Sequence, residues 1–325
     1  MALPHPAPIA WTPAPDTLDH PILDHWCAGV GPVVVAQVPA EEAPLDSLLV
    51  VTWNTHVGGG DIPRLVSEIR EGRLTSGVPV PHFILLLQEV YRAGLEVPGD
   101  RPAARPRRLN AHPPRGPRID IVETARMLGL AVYYAPSMSN RRASLTALPE
   151  DRGNAILSTL PLHELRAIEL PFEGQRRVAP AATVTGVTSA GEQWELRVVS
   201  VHLDNRSTGK RLLRSLGAGR RRQAEALVEA LATPEAIVVG GDLNTWSMGM
   251  LEGALPVLER HFPLPENQPR EPTFATAAGL GGMRLDRLMF RLPSGLSATV
   301  RRVANLYGSD HHPLAGWVTL KGLRT

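Results

Sequence analysis

The chain has 325 residues, 43% of them hydrophobic, with 34 Lys and Arg against 32 Asp and Glu. That balance suits an ordinary globular protein, and no run reaches the roughly 18 consecutive apolar residues of a membrane span. A single cysteine, Cys27, excludes an intrachain disulfide framework, and its neighbours Trp26 and Ala28 bring no basic group that would activate the thiol.

The first residues, MALPHP, lack a charged segment followed by a continuous apolar one, so no secretory signal is visible. The chain reads as cytoplasmic, with a secreted form already stripped of its signal left open. Pro4, Pro6, Pro8, Pro13 and Pro15 make residues 1–46 an extended arm in which residues 33–36 (VVVA) form one added edge strand. The globular body, residues 47–325, opens with a buried strand over 48–53 (LLVVTW), followed by Asn54 and a glycine loop at 58–60. Helical spacing covers 62–69, with Asp61 as N-cap and Pro63 in the first turn. A second buried strand, 83–87 (FILLL), ends at Gln88 and Glu89.

Residues 92–118 are loop-like and rich in Pro and Arg, a candidate lid over the substrate, and 120–128 is helical. A strand at 131–134 leads through a polar loop to Asp151, and another begins at Gly153. Residues 182–187 and 194–201 form a hairpin around 189–192, ending at His202. A basic amphipathic helix spans 220–231, and a buried strand, 236–241, ends at Asp242. Late strands cover 284–290 and 314–320. Strands apolar on both faces, mixed with hairpins, indicate stacked sheets covered by helices in one domain.

Bases crowd two stretches: Arg101, Arg105, Arg107, Arg108, Arg115 and Arg118, then Arg206, Lys210, Arg211, Arg214, Arg220, Arg221 and Arg222. Such clusters fit an anionic partner, although arginine also solvates exposed loops. Polar residues recur where apolar strands end: Asn54, Glu89, His202, Asp242 with Asn244, Asp286, and Asp310 with His311. Loops at strand ends hold ligand sites because the sheet fixes their positions. Carboxylates with an amide form the oxygen-rich shell that suits Mg²⁺ or Mn²⁺. The short Cys and His spacings of a zinc site are missing, and the 58–60 glycines lack the Gly-Lys-Ser/Thr of a phosphate-binding loop. Each residue also has a plainer reading. Asn54 could be a turn residue, Glu89 a solvated strand end, Asp242 and Asn244 an Asx-turn, Asp286 a surface ion pair with Arg284 or Arg287, and His202 a core histidine. His312 and Tyr134 read as packing residues.

The segments 52–54 (TWN), 87–90 (LQEV), 200–203 (SVHL), 241–244 (GDLN), 285–287 (LDR) and 309–311 (SDH) together resemble the endonuclease/exonuclease/phosphatase superfamily, in the family's order and across residues 48–320. The resemblance implies a DNase I-like fold, an α/β four-layer αββα sandwich of two stacked mixed sheets flanked by helices. It implies a divalent-metal-dependent hydrolysis of phosphoesters, with Mg²⁺ or Mn²⁺ near Asn54, Glu89 and Asp310. It implies that Asp242 activates the attacking water and that Asn244 holds a phosphate oxygen or that water. It further implies that His311, oriented by Asp286, stabilises the developing charge while His202 donates a second hydrogen bond. Arg152 and Asn154 would line the substrate cleft.

His202 stands where the apurinic-endonuclease branch carries an Asn-containing segment, and residues 239–244 (VGGDLN) lack the Trp that precedes and the Arg that follows this motif in the inositol-phosphatase signature. The segments 88–90 (QEV) and 285–287 (LDR) resemble the tyrosyl-DNA-phosphodiesterase pattern, and with the arginine clusters they make a nuclease-type phosphodiesterase the leading expectation, with nucleic acid as substrate. A phosphomonoesterase, a sphingomyelinase-like or inositol-phosphate hydrolase, and a non-catalytic binding module are the alternatives.

Overall fold

The computed structural model describes residues 8–40, 43–98, 117–140, 147–205, 217–233, 236–245, 253–275 and 282–320. Its strands, in chain order, are β1 (Ala10–Thr12), β2 (Val34–Ala36), β3 (Ser47–Asn54), β4 (Phe83–Ala93), β5 (Ala131–Ser139), β6 (Glu150–Ser158), β7 (His163–Glu169), β8 (Val178–Val187), β9 (Gln193–His202), β10 (Ile237–Asp242), β11 (Phe274–Ala275), β12 (Gly282–Met283), β13 (Asp286–Arg291), β14 (Ser297–Arg302) and β15 (Leu314–Thr319). The helices are α1 (His20–Cys27), α2 (Ile62–Arg70), α3 (Ile121–Leu128), α4 (Ala218–Ala230) and α5 (Ala254–His261). One sheet has the order β14-β15-β3-β4-β6-β5-β2 and the other β1-β7-β8-β9-β10-β13, with β11 and β12 a separate two-stranded ribbon.

Side-chain alternation along the strands builds four layers. Leu48 and Val50 of β3 join Ile84 and Leu86 of β4 and face Val198, Val238 and Leu288 of the second sheet, forming the core between the sheets. Leu49, Val51 and Trp53 point the other way, onto Ile62, Leu65, Val66 and Ile69 of α2 and Ile121 and Ala125 of α3. On the far side, Val199, Val201, Val239 and Met289 pack against Ala224 and Leu227 of α4 and Leu258 and Phe262 of the α5 region. Burial on both faces explains why these strands read as continuous apolar runs. The expected αββα sandwich is the observed fold.

Capping chemistry sets the helix limits as the sequence suggests. The Asp61 side chain accepts from the Arg64 N–H, and Asp120 accepts from the N–H groups of Val122 and Glu123. Gly129 closes α3 at φ 65°, a left-handed conformation that suits glycine.

Three expectations change. The expected edge strand at 33–36 is β2, paired with β5 at a sheet edge, but residues 8–40 are otherwise not a plain extended arm: β1 pairs parallel with β7, and α1 lies between β1 and β2 in sequence. Pro21 sits in the first turn of α1, where it starts a helix rather than breaking one. The segment is pinned where the Gly31 N–H donates to Asp151 and the Pro32 carbonyl accepts from buried Arg92, itself paired with Asp151. Strand β4 does not stop at Glu89 but runs to Ala93 through a bulge between Leu87 and Val90, and β6 begins at Glu150 rather than beyond Asp151. Most of the expected loop over 92–118 lies outside the described residues. Of its ends, Arg92 is buried and Arg118 makes two 2.8 Å hydrogen bonds to Glu150 while stacking over Tyr91.

Candidate active site

Strand register assembles the centre. β10 runs parallel to β9 and antiparallel to β13, so Asp242 lies directly between His202 and Asp286 at one end of the second sheet. That close spacing depends on Gly241, where a Cβ would fall 1.8 Å from the Val201 carbonyl oxygen. From the facing sheet, the Asn54 amide at the end of β3 donates to Asp242 Oδ2 at 2.9 Å, joining the two layers at the mouth. Asp242 Oδ1 accepts from the Asn244 N–H at 2.9 Å, and Asn244 holds φ 49° while its own amide donates to the Leu203 carbonyl.

Asp242 is almost fully buried. Burial, which penalises the charged form, and the nearby Asp286 carboxylate push its pKa up to about 6, against the opposing pull of His311 and of the hydrogen bonds from Asn244 and Asn54. A carboxylate tuned toward neutral pH is far better suited to take a proton from water than one at an ordinary value.

Two histidines flank it. His311 Nδ1 lies 2.8 Å from Asp286 Oδ2, and Nε2 lies 3.9 Å from Asp242 Oδ2 and 4.0 Å from Asp310 Oδ1. Burial alone would lower the His311 pKa. The Asp286 carboxylate, through charge and hydrogen bond, outweighs it with help from Asp242 and Asp310 and raises the value to about 10. The Asp286 carboxylate thus favours the charged form of the ring. Its backbone is fixed by Trp53 Nε1 donating to the His311 carbonyl at 2.9 Å, and by Ser309 Oγ, which accepts from the His311 N–H and donates to the Asn54 carbonyl.

His202 behaves oppositely. Its Nε2 is 3.5 Å from Asp242 Oδ2 and its Nδ1 is 3.1 Å from Arg177 Nη1. Burial first, then the positive charge of Arg177, His311 and Arg152, hold its pKa well below the usual histidine value.

The remaining expected residues fall into two groups. Glu89 lies at the β4 bulge with φ 52°, an unfavourable conformation for a side-chain-bearing residue that points to a constrained site. Its nearest described ionic partner, Arg152, is 4.0 Å away. Asp310, about one third exposed, lies 3.7 Å from His56 Nδ1. Asn154, by contrast, is buried and its amide donates to the Val178 carbonyl at 2.9 Å, bracing the two sheets. Tyr134 and His312 are packing residues as expected: the Tyr134 hydroxyl donates to Asp151, and His312 Nδ1 bonds the Val303 carbonyl.

Asp242, Asp286 and His311 place ligand atoms within 4.8 Å of one another, close enough in principle to hold a cation. The chemistry favours another use for them. The Asp286 hydrogen bond keeps a proton on His311 Nδ1, and the raised pKa resists loss of the proton that ligation would require. Glu89 and Asp310 also carry carboxylate oxygens of the hard kind that Mg²⁺ and Mn²⁺ prefer. The Asn54 amide oxygen already accepts from the His56 N–H at 3.0 Å and would have to share its second lone pair. Among the described residues, Asp286 Oδ1 is buried without a hydrogen-bond partner.

Sequence reasoning overlooked two residues here. His56 stands two positions after Asn54 in the same turn and was open to notice. Arg177 carried no signal, because 175–177 (QRR) reads as surface charge.

The model of the Endonuclease/Exonuclease/phosphatase family matches residues 51–311. Among solved structures, an endonuclease/exonuclease/phosphatase from Beutenbergia cavernae aligns with a TM-score of 0.57 at 18% identity, covering 85% of this chain and 72% of that one. An endonuclease/exonuclease/phosphatase family protein from Leptotrichia buccalis aligns at 0.50 and 12% identity, covering 83% of this chain and 99% of that one. At these identities the likeness speaks to fold. No curated protein matches the chain in sequence.

Proposed function

This chain belongs to the endonuclease/exonuclease/phosphatase family of phosphoester hydrolases, and from that premise we propose that it is a divalent-metal-dependent phosphodiesterase whose reaction is centred on Asp242. The observation that carries the reading is the buried Asp242 carboxylate flanked by two imidazoles, His311 backed by Asp286 and His202 backed by Arg177. Asp242 takes a proton from water as the water oxygen bonds to phosphorus. His311, charged and held by Asp286, hydrogen-bonds a non-bridging oxygen and offsets the charge that grows there. His202 offers Nε2–H to a second oxygen. Asn54 and Asn244 hold Asp242 so that its base lone pair stays aimed at the mouth. Mg²⁺ or Mn²⁺, held by Glu89 and Asp310 with Asn54 beside them, would polarise the phosphoryl group and ease departure of the leaving oxygen. Arg152, across from Glu89, would contact substrate.

Nucleic acid is the leading substrate class, on the strength of the arginine-rich stretches. Within the described part of α4, Arg221 pairs with Glu225, and Arg222 pairs with Glu173 and Asp16. That pairing draws the helix's charge inward and favours, as a second reading, a compact phosphodiester such as a phospholipid headgroup. The deciding experiment is a hydrolysis panel of bis-p-nitrophenyl phosphate, plasmid DNA, inositol phosphates and sphingomyelin, each with Mg²⁺, with Mn²⁺ and with EDTA. Metal-dependent cleavage of a phosphodiester, lost on chelation and in Asp242→Ala, is expected. Binding of metal without turnover on any member of the panel would mean a non-catalytic module.

A further inference from the structure

We propose that Arg177 is a positioning residue that fixes the ring proton of His202 on Nε2, making His202 a permanent neutral hydrogen-bond donor toward the reacting phosphate. The inference rests on the hydrolase reading for its catalytic consequence but not for its structural claim.

A guanidinium has five N–H donors and no acceptor. With Arg177 Nη1 at 3.1 Å from His202 Nδ1, that ring nitrogen must accept, so it carries no proton and the single proton of the neutral ring sits on Nε2. Nε2 is the atom facing Asp242. If Nδ1 were protonated, two donors would oppose each other at a buried contact: His202 is 2% exposed and Arg177 5%. Arg177 is itself unusual. Among the described residues it makes no ion pair, Asp204, Glu89 and Asp242 act on it only at a distance, and its Nε is buried without a partner. A buried cation so poorly compensated is expensive to maintain, and a structural role alone would be served better by an apolar side chain. Arg177 directly precedes Val178, the first residue of β8, and meets the ring at Nδ1, the nitrogen away from Asp242.

Ring ¹⁵N chemical shifts of His202, assigned by difference against His202→Ala, test the claim on the metal-free protein at pH 7.5. Nδ1 unprotonated with Nε2–H is expected; a proton on Nδ1 overturns the proposal whatever the enzyme's activity. Arg177→Met should allow both tautomers and lower kcat about tenfold or more with a smaller change in KM. Arg177→Lys, which keeps one N–H donor, should recover part of the loss. In a His202→Ala background, Arg177→Met should cost less than about threefold, because a residue acting through His202 has nothing left to position. Multiplying effects in the double variant would show that Arg177 acts independently of His202 and would refute the proposal. Absence of any phosphoester turnover would fail the hydrolase reading while leaving the tautomer result standing.

Discussion

His311 and His202 stand on either side of Asp242, and each has one buried partner behind its ring. Behind His311 is the Asp286 carboxylate at 2.8 Å, and behind His202 is the Arg177 guanidinium at 3.1 Å. Both rings are buried to a similar degree, so burial does not separate them. The partner does. An acceptor behind the ring draws a second proton onto it, whereas a donor behind the ring keeps it neutral. One imidazole thus supplies charge and the other supplies only an oriented N–H.

The asymmetry ranks the expected losses. Asp242→Ala should lower kcat roughly a thousandfold or more, the scale of losing a general base, measured on bis-p-nitrophenyl phosphate with Mg²⁺ or Mn²⁺. His311→Ala should come close to that, and Asp286→Asn about a hundredfold, because the ring remains but loses what holds its charge. His202→Ala should cost less than His311→Ala, since a neutral donor stabilises the transition state less than a cation. A larger loss at His202 would reverse the assignment.

A stability measurement probes the same centre without turnover. The raised pKa of Asp242 means that the folded protein binds this proton more tightly than the unfolded chain, whose value is near 3.8. Its contribution is therefore fully present below pH 3.8 and is lost as pH rises through about 6. Asp242→Asn, which mimics the protonated form, should raise stability at pH 8 by roughly 1–3 kcal/mol, one pKa unit being worth about 1.4 kcal/mol, and give little gain below pH 4. Urea unfolding in EDTA at both pH values checks this, and equal effects at the two would contradict it. The smallest effect is expected at the surface: Arg221→Ala with Arg222→Ala should change plasmid cleavage less than about threefold and barely alter its salt dependence, because both arginines are already paired within the protein.

The central strands were legible because burial on both faces leaves an unbroken apolar run, as at residues 48–53 and 236–241, and because each run ends abruptly in a polar residue. Of the candidate site, Asn54, His202, Asp242, Asn244, Asp286 and His311 come together as that pattern suggests. Elements depending on distant partners were less visible. Strand β7 alternates weakly and gains its place from β8 and β1, and α1 is disguised by surrounding prolines. The Glu89 bulge leaves no local mark, because an extra residue in one strand is defined only by the register of its neighbour β6. Arg177 is the clearest case: nothing in its own segment distinguishes a solvated arginine from one buried behind a histidine 25 positions later.

The difference between the two histidines is tested most directly by one ¹⁵N spectrum of their imidazole rings in the metal-free protein at pH 7.5. Both nitrogens of His311 should carry protons, while His202 should carry one, on Nε2. Two rings in the same protonation state, or a neutral His311 beside a charged His202, would contradict the division of labour around Asp242.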